Sequence, residues 1–274
     1  MTITLHALSA DGTTVPSAVE PFQFPGGEWH LRLPAEETPS HATLTGCDAN
    51  DFIVLGLWAD WVRSTGYRAV AHIPYLPAAR ADRGVPFGAK IYAALINAAE
   101  LDEVVCFDPH SPVAPSLITN IRIVESTGVI TERVLPHGDY TAIMAPDAGA
   151  VHRAQLVADR AGLPLFTATK SRDFATGKLL GFHAPEGLPD AGRVLIVDDI
   201  CDGGGTFMGL AEATGLDRSR LDLWVSHGIF SGRAAQLTER FGRIFTTDSH
   251  PGSTHAALAP TIIELAPYLA AERN

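Results

Sequence analysis

The chain is poor in several things, and each shortage removes a class of protein. Cysteine is scarce, with 3 in 274 residues, at positions Cys47, Cys106 and Cys201. These form no Cys-x-x-Cys pair and no zinc-ligand spacing, so neither a disulfide framework nor a structural zinc site is encoded. An odd, scattered set points to a reducing compartment. Positive charge is in deficit, with 20 Lys and Arg against 31 Asp and Glu and a formal net charge of −11. That argues against a nucleic-acid or anionic-membrane binder, whose affinity needs a broad basic face. Phosphate ligands remain open, because loop amides, a few cations and a divalent metal can hold one locally. No apolar run reaches the ~18 residues of a membrane span. The start, Met1-Thr2-Ile3-Thr4-Leu5-His6, lacks a basic and then an apolar signal region, so a cytoplasmic location is expected. The Gly-x4-Gly-Lys-Ser/Thr loop of ordinary P-loop kinases is missing, and the nearest lookalike, Gly84 to Lys90, has the wrong spacing.

What is present describes a globular core, with 46% hydrophobic and 19% charged residues. Short apolar runs recur at Ala69–Ile73, Val104–Phe107, Ala142–Ala145, Val194–Val197 and Leu221–Val225. Runs apolar on both faces read as buried parallel strands. Helix-like periodicity fills the intervals Phe52–Ser64, Ala89–Ala99, Gly149–Ala161 and Thr206–Thr214. The expected fold is therefore α/β, with mainly parallel sheets flanked by helices and ligands at the strand C-terminal edges. The alternation occurs twice, which predicts domains at 1–135 and 136–274, with the last helix able to pack back on the N-terminal domain. The seam is expected near Leu135–Asp139. Ser171 to Glu186, holding Gly177, Gly181 and Pro185, reads as a mobile loop, against the plainer alternative of a surface hairpin.

The sharpest signal is the stretch from Arg193 to Phe207. Val194–Val197 makes a buried strand, and Asp198 and Asp199 follow. Adjacent carboxylates on a strand point to opposite faces, so the strand is expected to turn there. Gly203, Gly204 and Gly205 then permit the close backbone approach of a phosphate-wrapping turn, and Thr206 opens a helix whose first amides face the same point. Vicinal hydroxyls of a furanose need acceptors, which Asp198 and Asp199 can supply, and a phosphate needs N–H donors, which Asp202–Thr206 can supply; a strand-Asp-Asp in isolation could equally be a Walker-B carboxylate or an ordinary turn.

This stretch resembles the phosphoribosyl-diphosphate motif of type I phosphoribosyltransferases and PRPP synthetases. Further landmarks resemble the PRPP synthetases in the same order: Phe24-Pro25-Gly26-Gly27-Glu28, Pro74-Tyr75 with Ala79-Arg80-Ala81-Asp82-Arg83, Asp108-Pro109-His110, Pro146-Asp147-Ala148-Gly149 with Arg153, and Ser226-His227-Gly228-Ile229-Phe230-Ser231. The resemblance spans most of residues 22–250. It implies two tandem phosphoribosyltransferase-like domains and diphosphate transfer from ATP or another nucleoside triphosphate to ribose 5-phosphate. By the same resemblance Asp198, Asp199 and Asp202–Thr206 bind ribose 5-phosphate, while Phe24, Glu28, Arg80, Asp82 and Arg83 bind nucleotide. It makes His110 and Asp147 the ligands of Mg²⁺ and puts Lys170 and Arg172 on the transferring diphosphate. It also implies a homo-oligomer, dimer or hexamer, in which Phe24 and Glu28 serve a neighbour.

Each assignment has a plainer reading beside it. His110 could be a hydrogen-bonded structural histidine, Asp147 a helix cap, Phe24 core, and the Arg80–Arg83 run a solvated charge cluster. Ala81 replaces the family's Gln and Gly26 its early Asp, which leaves donor preference open. The tail Ile263–Leu269 lacks a Ser-rich ending, so weak or absent ADP allostery is expected. A phosphoribosyltransferase that consumes PRPP, or a non-catalytic regulatory subunit, are the alternatives.

Overall fold

The computed structural model describes residues 1–172 and 179–271. It divides into two compact units, Met1–Val124 with residues 269–274, and Glu125–Tyr268. Residues 125–135, placed with the first domain on sequence grounds, lie in the second unit.

The first unit holds β1 (Ile3–Leu8), β2 (Thr14–Pro16), β3 (Glu20–Gln23), β4 (Trp29–Arg32), β5 (Thr38–Leu44), α1 (Ala49–Ser64), β6 (Val70–His72), α2 (Gly88–Ala98), β7 (Glu103–Phe107), the single turn α3 (Val113–Ser116) and β8 (Ile121–Val124). Its main sheet runs β2-β1-β5-β6-β7-β8, with β5 through β8 parallel and β1 antiparallel to β2 and β5. Alternate residues Ala42, Leu44, Ala71, Val104 and Cys106 meet Phe52, Leu55, Trp58 and Val62 of α1 and Ala93 and Ile96 of α2 in one core. Period-2 strand residues thus face period-3.6 helix residues. Asp48 caps α1 by accepting from the Asn50 amide, and Arg63 sits in the last turn, where a cation suits the helix dipole. The separate hairpin β3–β4 carries Phe24 at its turn.

The second unit holds the single turn α4 (Ser126–Val129), β9 (Tyr140–Ala145), α5 (Val151–Ala161), β10 (Leu165–Thr167), β11 (Thr169–Arg172), β12 (Leu179–His183), β13 (Arg193–Cys201), α6 (Gly205–Thr214), β14 (Leu221–Gly228), β15 (Arg243–Thr247) and β16 (Thr261–Ile263), and α7 (Ala266–Ala270) begins at its end. Its sheet is wholly parallel, in the order β10-β9-β13-β14-β15-β16. Connection order reverses between β9 and β13, and such a switch point opens a crevice at the strand C-terminal ends. Phe207, Leu210 and Ala211 of α6 pack on Ala142, Met144, Val194, Ile196 and Leu223, while α5 contacts β9, β10 and β13.

At the opposite, N-terminal edge, fully buried Asp222 accepts from the Tyr140 hydroxyl at 2.7 Å and from Arg193 Nε at 2.7 Å. A buried carboxylate needs such partners, and here they tie together the starts of β9, β13 and β14. No helix among the described residues is long and apolar enough to cross a membrane.

Candidate active site

Asp198 and Asp199 stand on β13, which does not turn at them as the sequence suggested. Its pairing with β14 continues through Asp198–Val225 and Ile200–His227 to Cys201–Gly228. The turn begins only at Asp202. Both carboxylates nevertheless reach one guanidinium: Arg153 on α5 lies 3.7 Å from Asp198 Oδ1 and 3.7 Å from Asp199 Oδ2. The fork of one arginine spans the divergence of two neighbouring residues. Burial first, and the Asp199 charge second, push the Asp198 carboxyl well above the usual carboxylate range; Arg153 opposes both.

The loop that follows owes its shape to one of its three glycines. Gly204 has φ +77°, and a Cβ there would meet Leu237 at 3.1–3.3 Å. Gly203 and Gly205 have no positive φ, and an added Cβ would meet only the Ser231 carbonyl at 4.0 Å in the first case and nothing within 4 Å in the second. Neither fold geometry nor packing requires glycine at these two positions. Both leave room for the close backbone approach of a ligand. Helix α6 starts at Gly205 with no side-chain cap bond, and first-turn amides have no intrahelical partner. The loop therefore presents donors beside open space, at the positive end of a helix.

Asp202 would repel a phosphate were its carboxylate turned inward. It instead accepts from Ser231 Oγ, and the Ser231 amide donates to the Asp202 carbonyl at 3.1 Å. Asp202 thus braces the loop. The strand leading to Ser231 is fixed by His227, buried, whose Nδ1 lies 2.8 Å from Ser249 Oγ. Sequence reasoning gave Arg153 and Ser231 no role; the signal was present, since both end motif segments already noted.

Asp147 follows β9, on the other side of the switch point. Its Oδ1 accepts from the Gly149 amide at 2.9 Å and the Ala150 amide at 3.3 Å, just before α5. Asp147 therefore closes the turn ahead of α5 and is not its N-cap, which is Ala150 and has no side-chain cap bond.

Lys170 and Arg172 lie on β11, which pairs with β12 in the register Lys170–Phe182 and Arg172–Leu179. Thr169–Arg172 and Leu179–His183 are thus a hairpin stem, where the sequence suggested a loop from Ser171. Residues 173–178 of that predicted loop, and the side chains of Lys170 and Arg172, lie outside the described residues. Phe182 packs over Gly209 of α6, where a Cβ would strike its ring, so the stem is anchored to the helix that leaves the phosphate loop.

In the first unit, Arg80 and Arg83 are exposed, whereas Asp82 is buried. Asp82 accepts from Ser111 Oγ at 2.7 Å and from Arg83 Nε at 3.2 Å, and the Ser111 bond is the main reason its carboxyl sits below the usual range. The sequence put Asp82 on the nucleotide; in the structure its side chain ties the Arg80–Arg83 segment to the loop after β7. That loop leaves the strand through buried Asp108 at φ +37°, a conformation uncommon outside glycine, and delivers exposed His110. Phe24 is 44% exposed at its hairpin tip, with its ring 5.8 Å from that of His30. The core reading of Phe24 fails. A Cβ at Gly26 would collide with the Glu28 carboxylate, so Glu28 fills the space a longer residue at 26 would use.

Among the described residues no group of three or more His, Cys, Asp or Glu side chains is set to cage a metal ion. Mg²⁺ commonly takes only one or two protein donors and completes its shell with water and phosphate oxygens. His110 and Asp147, an imidazole and a carboxylate at strand ends, fit as donors of that kind.

A parallel sheet ending in paired carboxylates and a glycine loop defines the phosphoribosyl-binding class, and the sequence model of the phosphoribosyl transferase domain matches residues 130–214. The resemblance extends well beyond that segment. The ribose-phosphate pyrophosphokinase of Saccharolobus solfataricus is 30% identical over 68% of this chain and 67% of its own length. That of Cereibacter sphaeroides is 30% identical over 80% and 68%, and that of Sulfurisphaera tokodaii 26% identical over 92% and 90%. The crystal structure of phosphoribosylpyrophosphate synthetase from Mycobacterium smegmatis has the same fold, with a TM-score of 0.74 at 21% identity over 92% of this chain and 88% of that one. The chain belongs to the ribose-phosphate pyrophosphokinase family.

Proposed function

We propose that the chain transfers a diphosphate group from a nucleoside triphosphate to the anomeric hydroxyl of ribose 5-phosphate, giving PRPP and a nucleoside monophosphate. The observation that carries the reading is the pair Gly203 and Gly205, where an added Cβ would meet no close contact and no positive φ demands glycine, shortly after two carboxylates suited to ribose hydroxyls. The 5-phosphate takes the amides of the 202–206 loop, and Asp198 and Asp199 take the ring hydroxyls. The anomeric oxygen then attacks the β-phosphorus, the bond from that phosphorus to the oxygen bridging to the α-phosphate breaks, and the hydroxyl proton leaves to solvent.

Arg80 and Arg83 are assigned to the donor's phosphates, and Phe24 and Glu28 to the base in a neighbouring copy, a role suited to the exposure of Phe24 at a hairpin tip. His110 and Asp147 would hold Mg²⁺, which when bound neutralises charge on the donor phosphates. Lys170 and Arg172 act on the transferring group from the hairpin next to the phosphate loop. No nucleophilic side chain is required, because positioning and electrostatics carry phosphoryl transfer.

The test is incubation with ribose 5-phosphate, Mg²⁺ and each nucleoside triphosphate in turn, following the nucleotide product by chromatography. Monophosphate formation with equimolar PRPP is expected, with a broad choice of donor, and Lys170→Ala should lower turnover about 100-fold or more. Diphosphate product, or consumption of PRPP only when a nucleobase is added, would overturn the assignment.

A further inference from the structure

The carboxylate pair on β13 presents an electrostatic problem that the proposed chemistry makes acute. Asp198 and Asp199 are neighbours, both largely removed from water, with side-chain exposures of 15% and 6%. Two carboxylates so placed resist joint ionisation, and the pair tends to retain a proton. A protonated carboxyl is a poorer acceptor for a sugar hydroxyl, so a ribose site at neutral pH needs something to keep the pair charged. Tyr140, at the far edge, is the only titratable residue on β9, and β14 offers His227, committed to Ser249, besides Asp222 at the far edge. Asp147 and Asp202, on the adjoining loops, are themselves acidic. Arg153, 12% exposed, lies 3.7 Å from each carboxylate.

Resting on the reading of this pocket as a ribose 5-phosphate site, we infer that Arg153 is a positioning residue which counters the tendency of the Asp198–Asp199 pair to hold a proton and aims both carboxylates at the ribose hydroxyls. Its guanidinium is permanently charged, and its fork matches two divergent carboxylates. Arg153 sits in the first turn of α5, directly after the Asp147 turn, so the element that delivers Asp147 also sets the charge of the sugar site.

The inference predicts a pH signature. Without Arg153 the pair holds its proton to higher pH, so ribose 5-phosphate affinity should fall at neutral pH and recover as pH rises. Calorimetric titration of the full-length parent, Arg153→Gln and Arg153→Lys with ribose 5-phosphate, without nucleotide, is done at several values from about pH 7 to 9. The ligand phosphate, with its second ionisation near pH 6, stays a dianion throughout. The parent should show the smaller pH dependence. Arg153→Gln should bind about tenfold or more weakly at pH 7, the loss of one charge-assisted contact, and approach the parent at pH 9. Arg153→Lys should stay within a few-fold of the parent throughout. A deficit in Arg153→Gln that is equal at every pH would make Arg153 structural and overturn the inference, as would unchanged affinity or a Lys variant as impaired as Gln. If the parent itself binds no ribose 5-phosphate, the functional assignment fails and the inference fails with it.

Discussion

Replacing Gly205 by alanine separates what the fold requires from what a ligand requires. Gly205 opens α6, has no positive φ, and an added Cβ would meet nothing within 4 Å. Alanine is the better helix residue by up to ~1 kcal/mol, so the variant should be as stable as the parent or more stable by about 0.5 kcal/mol. In a chain of this size that is a rise in Tm of about 1–2 °C. The open space beside it is where the proposal places the sugar phosphate. A methyl group that displaces one amide–phosphate contact costs ~1.5–3 kcal/mol, a rise in ribose 5-phosphate KM of about 10- to 100-fold. Gly204→Ala supplies the contrast, because φ +77° and Leu237 at 3.1–3.3 Å oppose it within the protein itself. It should lose ~1–2 kcal/mol of stability from backbone strain alone. Thermal melts and initial rates at varied ribose 5-phosphate would be measured for both variants. A Gly205→Ala protein with raised or unchanged Tm and the parent's KM would refute the reasoning, since nothing would then occupy the space that glycine leaves.

Two further expectations concern regions away from this pocket. Asp222→Ala strands Arg193 at the N-terminal edge of the second sheet, where breaking a buried ion pair costs ~3–5 kcal/mol, so denaturant midpoints should fall sharply while the KM for ribose 5-phosphate of the folded fraction stays within about twofold. In the first unit, His6, His41 and His72 stack across β1, β5 and β6, with ring centroids 4.3 and 4.2 Å apart, and burial is the main cause that lowers His41 to about 4 and His72 to about 3. The unfolded chain protonates these rings near pH 6.5 and the native chain much lower, so stability is present above about pH 6.5 and is lost on acidification; His72 alone accounts for roughly 3 kcal/mol by pH 4. Denaturant titrations at pH 7 and pH 4 would show that loss, and His72→Phe should shrink it; an unchanged pH dependence in that variant would count against the histidine stack.

The architecture was legible because burial writes itself into composition. A parallel strand covered on both faces must be apolar throughout, and Val194–Val197 and Ala142–Ala145 are. The places that escaped are those where polar residues are buried by pairing. Asp198 and Asp199 looked like the end of β13, yet the strand continues to Cys201 because its backbone still bonds to β14 and Arg153 takes up the charge. The seam was drawn at Leu135-Pro136, since proline reads as punctuation, whereas the units divide at Val124 and the segment after it carries buried Val129, Ile130 and Val134 in the second unit.

The site was legible one residue at a time and illegible as a set of pairs. Asp82 has the composition of a ligand contact, and only the structure reveals that Ser111, 29 positions later, donates to it and that the carboxylate therefore positions its arginine neighbours. Asp202 behaves alike, accepting from Ser231 across the same span of 29 positions. In both cases an acid next to a segment proposed to bind phosphate would be a liability, and a hydroxyl from a later strand end holds it as a brace. Sequence spacing cannot report such a pairing, because the hydroxyl arrives through a different crossover of the sheet. The arginine facing Asp198 and Asp199 follows the same logic with the opposite sign: charge that the ligand chemistry needs, but the fold would suppress, is maintained by a partner 45 and 46 positions away. The chemistry of this pocket is therefore set by side chains that need not touch the substrate at all.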